Sequence, residues 1–358
     1  MKDKIKKSVK ELEEYKAGKT KREISEKYSI PLDEIIALSS NENPFGTPKK
    51  AQKAIKKVSK KIFRYPSPKE EKELKKEIKT QQDLAEEVNV ILGAGEDGVL
   101  ENIMKTCVEK NTKISIPYPT FSLYEVISRI YGADIDFIKR NEDFSIPKGD
   151  LLESAEQTDI SFFCSPNNPT GNLIEDSLLD QILKKDNLVI LDAAYSEFTQ
   201  KNYLNLLRNN QNLVILRTFS KAYGLAGLRV GYGLTCNKEL AKNLRKTRSP
   251  FSVAKTGLVA AKQALKQKDF LEKTTSAVRK GRKFLEQHIP FKTYDSEANF
   301  VLAQTSSKSS EKVTRELMKK GVIVRDCSSI KGLGSNYFRI SVGRMDENKK
   351  VVEEMKKL

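Results

Sequence analysis

Residues 213–235 read LVILRTFSKAYGLAGLRVGYGLT. Two apolar runs, Leu213–Arg217 and Val230–Leu234, have the length and residue types of buried strands. Between them stand a Ser/Thr-rich turn, Thr218-Phe219-Ser220-Lys221, and a glycine-punctuated loop that ends at Arg229. Lys221 therefore leaves the end of a strand, apart from the lysine-rich surface runs elsewhere in the chain. A lysine in a crevice, partly desolvated and near another cation, titrates low and can form a Schiff base.

Upstream the same texture repeats. Candidate strands Val90–Leu92, Lys113–Ile116, Asp134–Ile138, Ile160–Cys164 and Leu188–Leu191 alternate with helical stretches such as Glu96–Glu109, Phe121–Tyr131 and Asp176–Lys184. This order predicts an α/β fold, a three-layer α/β/α unit around a mostly parallel sheet. Downstream, a long helical region runs from about residue 250 to His288. Short strands (Ala298–Ala303, Val322–Val324, Tyr337–Val342) and helices (Ser310–Lys319, Glu347–Lys357) follow, as in a smaller α+β domain. The expected division is an N-terminal arm packing with the small domain (1–48), a large domain (49–276) and a small C-terminal domain (277–358).

Ligands of open α/β sheets bind at the carboxyl ends of the strands. After Val90–Leu92 comes Gly93-Ala94-Gly95-Glu96-Asp97-Gly98, opening a helix. Free N–H groups and the helix dipole favour an anion there. The turn matches neither a Walker A loop nor GxGxxG. After Ile160–Cys164 comes SPNNPTG (165–171); after Leu188–Leu191 come Asp192 and, three residues on, Tyr195. Asp192 can pair with a protonated ring nitrogen. Thr218, Ser220 and Arg229 can hold a phosphate together with the 93–98 turn. With a Schiff-base lysine, these are the requirements of pyridoxal phosphate.

Composition narrows the classes further. The chain has 358 residues, about two domains' worth. Its single histidine, His288, argues against a Ser-His-Asp triad, a His-based zinc cluster or an HExxH helix, and no metal is expected. Four scattered cysteines (107, 164, 236, 327) form no CxxC pair. The net charge of +17 invites a nucleic-acid reading. Residues 49–80 carry 13 basic and 4 acidic side chains, and residues 1–30 carry 10 and 6. These runs are lysine-rich, poor in arginine and interleaved aromatics, and in PKEEKELKKEIK spaced like a solvated amphipathic helix. Residues 20–36 scan loosely as a helix-turn-helix, but LSSNENPFG after them reads as a strand and turn. Lys4–Glu14 reads as a basic surface helix. The N-terminus lacks the apolar stretch of a secretory signal, and no run approaches 18 apolar residues. The expected compartment is the cytoplasm, without nucleic-acid or membrane partners.

The segments SPNNPTG at 165–171, LDAAYSEF at 191–198 and TFSKAYGLAGLRVGY at 218–232 resemble the fold-type I aminotransferases of class I/II. Together with YKAGK at 15–19, SNENP at 40–44 and FRIS at 338–341, they are most similar to the histidinol-phosphate aminotransferase branch. The resemblance covers nearly the whole chain. It implies that Lys221 joins the cofactor pyridoxal 5'-phosphate, that Asp192 keeps the ring nitrogen protonated, and that Asn168 and Tyr195 hydrogen-bond the ring's phenolic oxygen. Phe121 takes the place of the stacking aromatic. Ala94, Gly95, Thr218, Ser220 and Arg229 resemble the phosphate cradle, and Tyr65 a tyrosine that reaches the cofactor phosphate of the neighbouring subunit, which implies a homodimer. Arg325 and Arg339 resemble the arginines holding the substrate's anionic groups, and Tyr15 a substrate contact from the arm. The implied reaction belongs to histidine biosynthesis: histidinol phosphate and 2-oxoglutarate yield imidazole acetol phosphate and glutamate. The tail, RDCSSIKGLG at 325–334, looks more like the threonine-phosphate decarboxylases of cobalamin synthesis. That activity, or transamination of another amino acid, is the alternative.

Overall fold

The computed structural model describes residues 4–12, 14 and 18–358. The N-terminal segment carries α1 (Lys7–Lys10), α2 (Lys21–Tyr28) and β1 (Ile36–Ala37), followed by α3 (Lys49–Val58) and α4 (Pro68–Gln81). Then come β2 (Asn89–Ala94), α5 (Gly95–Cys107), β3 (Lys113–Tyr118), α6 (Leu123–Tyr131), β4 (Asp134–Lys139), α7 (Lys148–Gln157), β5 (Ile160–Cys164), α8 (Asp176–Ile182), β6 (Leu188–Asp192), β7 (Leu213–Thr218) and β8 (Val230–Thr235). Helices α9 (Lys238–Thr247), α10 (Lys255–Leu265) and α11 (Lys268–His288) lead to β9 (Lys292–Tyr294), β10 (Phe300–Gln304), α12 (Ser310–Lys319), β11 (Val322–Ile323), β12 (Arg325–Asp326), β13 (Tyr337–Ser341) and α13 (Met345–Lys356).

Seven strands form the main sheet in the order β2-β8-β7-β6-β5-β3-β4. All neighbours run parallel except β8, which is antiparallel to both β7 and β2. Alternation along each strand fills both faces. On β7, Leu213 and Ile215 join one apolar cluster while Val214 and Leu216 join the other. Both sides are therefore covered, as continuous apolar strands require. A four-stranded antiparallel sheet, β12-β13-β10-β9, builds a separate core with α11, α12 and α13. The pairing of β1 with β11 ties the N-terminal segment to that C-terminal layer.

Most strands expected between residues 89 and 235 extend one or two residues further, and the extensions include Tyr118, Asp192 and Thr218. Ladder hydrogen bonds are indifferent to side-chain polarity, so strands outlast their apolar runs. The expected helix over 121–131 begins only at Leu123, leaving Phe121 in the preceding turn. The helical region after residue 250 is two helices, α10 and α11. Around Lys4–Glu14 only Lys7–Lys10 is helical among the described residues. After α2 the chain enters β1 without a second helix.

The lysine-rich stretch folds for tertiary reasons. Ser67 and Glu70 cap α4 reciprocally, with Pro68 at its first position. Leu74 and Ile78 are fully buried. The helix's glutamates do not serve their own lysines. Glu70, Glu71, Glu73 and Glu77 pair with Lys255, Arg248, Lys262 and Lys266 at 3.7, 2.9, 2.7 and 3.1 Å. The acidic residues thus face α10 and the end of α9, while Lys69, Lys72 and Lys76 face solvent. Among the described residues, no helix is long and apolar enough to cross a membrane.

Candidate active site

Strands β5, β6 and β7 lie side by side and parallel, so the segments after them emerge together. These are Ser165–Gly171, Asp192–Tyr195 and Thr218–Lys221. The antiparallel β8 completes the set. Its first residue, Val230, pairs with Ala94 at the end of β2 and its carbonyl accepts from Phe219 N at 3.0 Å. Arg229, one residue earlier, is thereby set between the 93–98 turn and the Thr218–Ser220 turn.

The 93–98 turn is built closely. Gly95 opens α5 at φ +74°, a conformation in which a side chain is strained. A Cβ there would lie 2.5 Å from a terminal nitrogen of Arg229. Arg229 itself has φ 49° and donates to Asp97 Oδ2 at 2.6 Å, with both side chains about half exposed. Such a pair is weak and exchangeable for a stronger anion. Thr218 Oγ1 accepts from Ser220 N at 3.1 Å and lies 3.0 Å from Ser220 Oγ. Gly95→Ala is expected to weaken cofactor affinity at least about tenfold through strain and displacement of Arg229. Equilibrium titration of the apoprotein measures this, and wild-type affinity would remove Gly95 from the cradle.

Asp192 ends β6 and is 5% exposed. Its Oδ1 accepts from Ala194 N at 2.9 Å and its Oδ2 from Tyr124 Oη. The Glu96 carboxyl is pushed well up, first by burial and then by the adjacent charge of Asp192. A protonated nitrogen heterocycle suits such a paired acidic floor.

Lys221 is half-buried in the turn after β7, its Nζ 3.4 Å from Ser40 O and 5.7 Å from the Tyr195 ring centre. Burial, and then the Arg339 guanidinium, lower its amine from 10.5 to about 8. Asn43 braces the backbone beneath it by donating to Ala222 O at 2.9 Å. The nucleophile is the neutral amine, which predominates above the pKa. Capture of pyridoxal phosphate by the apoprotein is therefore expected to accelerate up to about pH 8 and then level off. Stopped-flow absorbance tests this; a rise continuing through pH 10 would mean an unperturbed lysine.

Tyr195 is buried, with Asn41 Nδ2 donating to its hydroxyl oxygen at 3.1 Å. Asn167 fixes the SPNNPTG turn through Pro119 O at 3.0 Å and Thr120 Oγ1 at 2.7 Å. The next residue, Asn168, accepts from Arg339 Nη1. Arg339 also donates to Ser39 O at 2.8 Å, and Arg325 is its cross-strand neighbour on β12. Phe121 stands edge-on to Tyr124 with ring centres 5.7 Å apart, joining it to the Asp192 side.

The fold thus gathers Ala94, Gly95, Thr218, Ser220 and Arg229 at one end, and links Asn168, Tyr195, Lys221, Arg325 and Arg339 at the other. Tyr65 lies apart: it is 75% exposed and stacks on Phe251 at 4.5 Å, outside its own chain's site. Tyr15 falls outside the described residues. Four participants escaped the sequence reading: Asn41, Asn43, Glu96 and Tyr124. Asn41 and Asn43 lay within SNENP, which gave them no individual roles; Glu96 stood in the glycine turn and Tyr124 three residues beyond Phe121. The donor set fits pyridoxal phosphate: an anion cradle at a helix start, a low-titrating lysine and a buried carboxylate.

Residues 33–355 match the family described as aminotransferase class I and II. Histidinol-phosphate aminotransferase from Methanosarcina mazei is 41% identical over 350 residues, 97% of this chain and 95% of that protein. The crystal structure of the histidinol-phosphate aminotransferase from Clostridium acetobutylicum is similar with a TM-score of 0.84 at 27% identity, covering 90% of this chain and 98% of that one. The enzyme of that name from Sinorhizobium meliloti, in complex with pyridoxal-5'-phosphate, gives 0.84 at 22% identity, covering 99% and 97%.

Proposed function

Because this chain belongs to the class I and II aminotransferases, we propose that it moves the amino group of L-histidinol phosphate to 2-oxoglutarate, with pyridoxal 5'-phosphate as cofactor. The observation that carries the substrate is the full-length similarity to the Methanosarcina mazei histidinol-phosphate aminotransferase, 41% over 97% of the chain.

When bound, pyridoxal phosphate supplies an electron sink for the carbanion formed beside the substrate's amine. The protein supplies the rest. Lys221 would hold the group covalently and, once released, its amine would carry the proton taken from the substrate's amine-bearing carbon. The negative charge of Asp192 would keep the ring nitrogen protonated. Asn168 and Tyr195 would hydrogen-bond the phenolic oxygen, and Phe121 would offer an aromatic face. Ala94, Gly95, Thr218, Ser220 and Arg229 hold the phosphate. Arg325 and Arg339 hold the anionic groups of both substrates, a phosphate ester in one half-reaction and carboxylates in the other. The proposed substrate contact of Tyr15 rests on the resemblance alone.

Ile62, Phe63, Tyr65 and Phe251 are 62%, 76%, 75% and 49% exposed. Such a patch supports association with a second copy, and it includes Tyr65, which would then serve the neighbouring site. The domain division at 1–48, 49–276 and 277–358 is supported by the separate core around the C-terminal sheet. The four free cysteines favour the cytoplasm.

Purified protein given histidinol phosphate and 2-oxoglutarate should form glutamate, and the same preparation should sediment as a dimer. Release of carbon dioxide from threonine phosphate, without glutamate from the first pair, would replace this reading with the decarboxylase.

A further inference from the structure

Asn41 is an asparagine placed where most residues would be strained, at φ 53°, and it is 1% exposed. Asparagine tolerates this left-handed conformation. All four of its polar groups are committed. Its N–H donates to Ser341 Oγ at 2.8 Å, and its carbonyl accepts from Asn299 Nδ2 at 3.1 Å. Its Oδ1 accepts from Ser341 Oγ at 2.8 Å, and its Nδ2 donates to Tyr195 Oη at 3.1 Å.

The amide orientation follows from hydrogen counting. Ser341 is 2% exposed, and its oxygen already receives Asn41 N–H. Its own hydrogen needs an acceptor, and Asn41 Oδ1 is that acceptor. A flipped amide would aim a second donor at the same oxygen and orphan the hydroxyl hydrogen, a costly arrangement in a buried site. Nδ2 therefore faces Tyr195. Because Tyr195 Oη receives a hydrogen from Asn41, its own hydrogen points away from residue 41. Lys221 lies 5.7 Å from the ring centre, and the charges of Arg339 and Asp192 act on that hydroxyl.

We propose that Asn41 is a positioning residue: the ordered chain Ser341 to Asn41 to Tyr195 sets the direction of the Tyr195 hydroxyl hydrogen and aims it at the cofactor's phenolic oxygen. The proposal rests on the pyridoxal phosphate reading above. It also gives the C-terminal sheet a part in the site, since Ser341 ends β13 and Asn299 precedes β10. A shift of that sheet would release the amide and let the tyrosine hydrogen turn.

Asn41→Asp tests this with nearly unchanged shape, and aspartate also tolerates the left-handed backbone. The new carboxylate accepts where the amide donated, so the Tyr195 hydrogen turns to residue 41. The phenolic oxygen loses its donor, and the nitrogen joining Lys221 to the cofactor holds its proton more tightly. The pH midpoint of the holoenzyme's visible absorbance band should rise by about one to two units, the scale of a hydrogen bond to a charged group. In a Tyr195→Phe background the same substitution should move the midpoint no further. Ser341→Ala, which frees the amide without adding charge, should raise it by a smaller amount.

A midpoint unchanged in a folded N41D protein overturns the proposal. So does an equal shift in the Tyr195→Phe background, which would mark plain charge. If N41D does not fold, S341A decides alone: a raised midpoint supports the chain and an unmoved one overturns it. A merely structural role would lower the melting temperature and leave the midpoint in place. If the wild-type protein shows no pH-dependent visible band with pyridoxal phosphate, the cofactor reading fails, and the proposal falls with it.

Discussion

Replacing Lys221 with alanine should lower turnover of histidinol phosphate and 2-oxoglutarate by at least about a thousandfold. General base catalysis alone contributes roughly 10² to 10⁴. Lys221 is assigned a second task as well, the covalent hold on the cofactor. Among the described residues no other lysine shares its setting, in the turn after β7, with its Nζ against Ser40 O and its amine lowered to about 8. The visible band of the lysine-joined cofactor should vanish, while pyridoxal phosphate still binds through the Arg229 cradle. A mutant that keeps wild-type turnover would refute the assignment outright.

Asp192→Asn should leave the fold and cofactor binding nearly intact but reduce kcat by about 10² to 10³, the loss seen when one preorganised electrostatic partner is removed. The amide keeps the volume; its oxygen can still accept from Ala194 N, and its Nδ2 can donate to Tyr124 Oη. What disappears is the negative charge assigned to hold the ring nitrogen protonated. KM should change less than kcat, because Arg325 and Arg339 remain. Equal turnover of mutant and wild type would take the electron-sink role away from Asp192.

Much of this was readable in advance because strand ends are punctuated. Asp192, Lys221 and the 93–98 turn each follow an apolar run, and in a parallel sheet the ends of such runs share one edge. The order of β5, β6 and β7 in the sheet bears this out. The lysine-rich stretch was readable in composition but not in purpose. Spacing suggested pairs within α4, whereas Glu70, Glu71, Glu73 and Glu77 reach to α10 and the end of α9. Charges three or four apart can pair locally, and only the packing of neighbouring helices decides which partner is nearer.

Local pattern alone determined the α/β class, the lysine at a strand end and the glycine turn that opens α5, because strand length, apolar alternation and glycine placement act over a few residues. Three things came from tertiary structure. The antiparallel entry of β8 brings Arg229 beside Gly95. The fold of α6 over the sheet sets Tyr124 against Asp192, 68 residues away. The meeting of residues 41, 195 and 341 orients a tyrosine hydrogen across 154 and 300 residues of chain. A hydrogen bond depends on distance and direction in space, and neither is encoded in the spacing of the residues that make it.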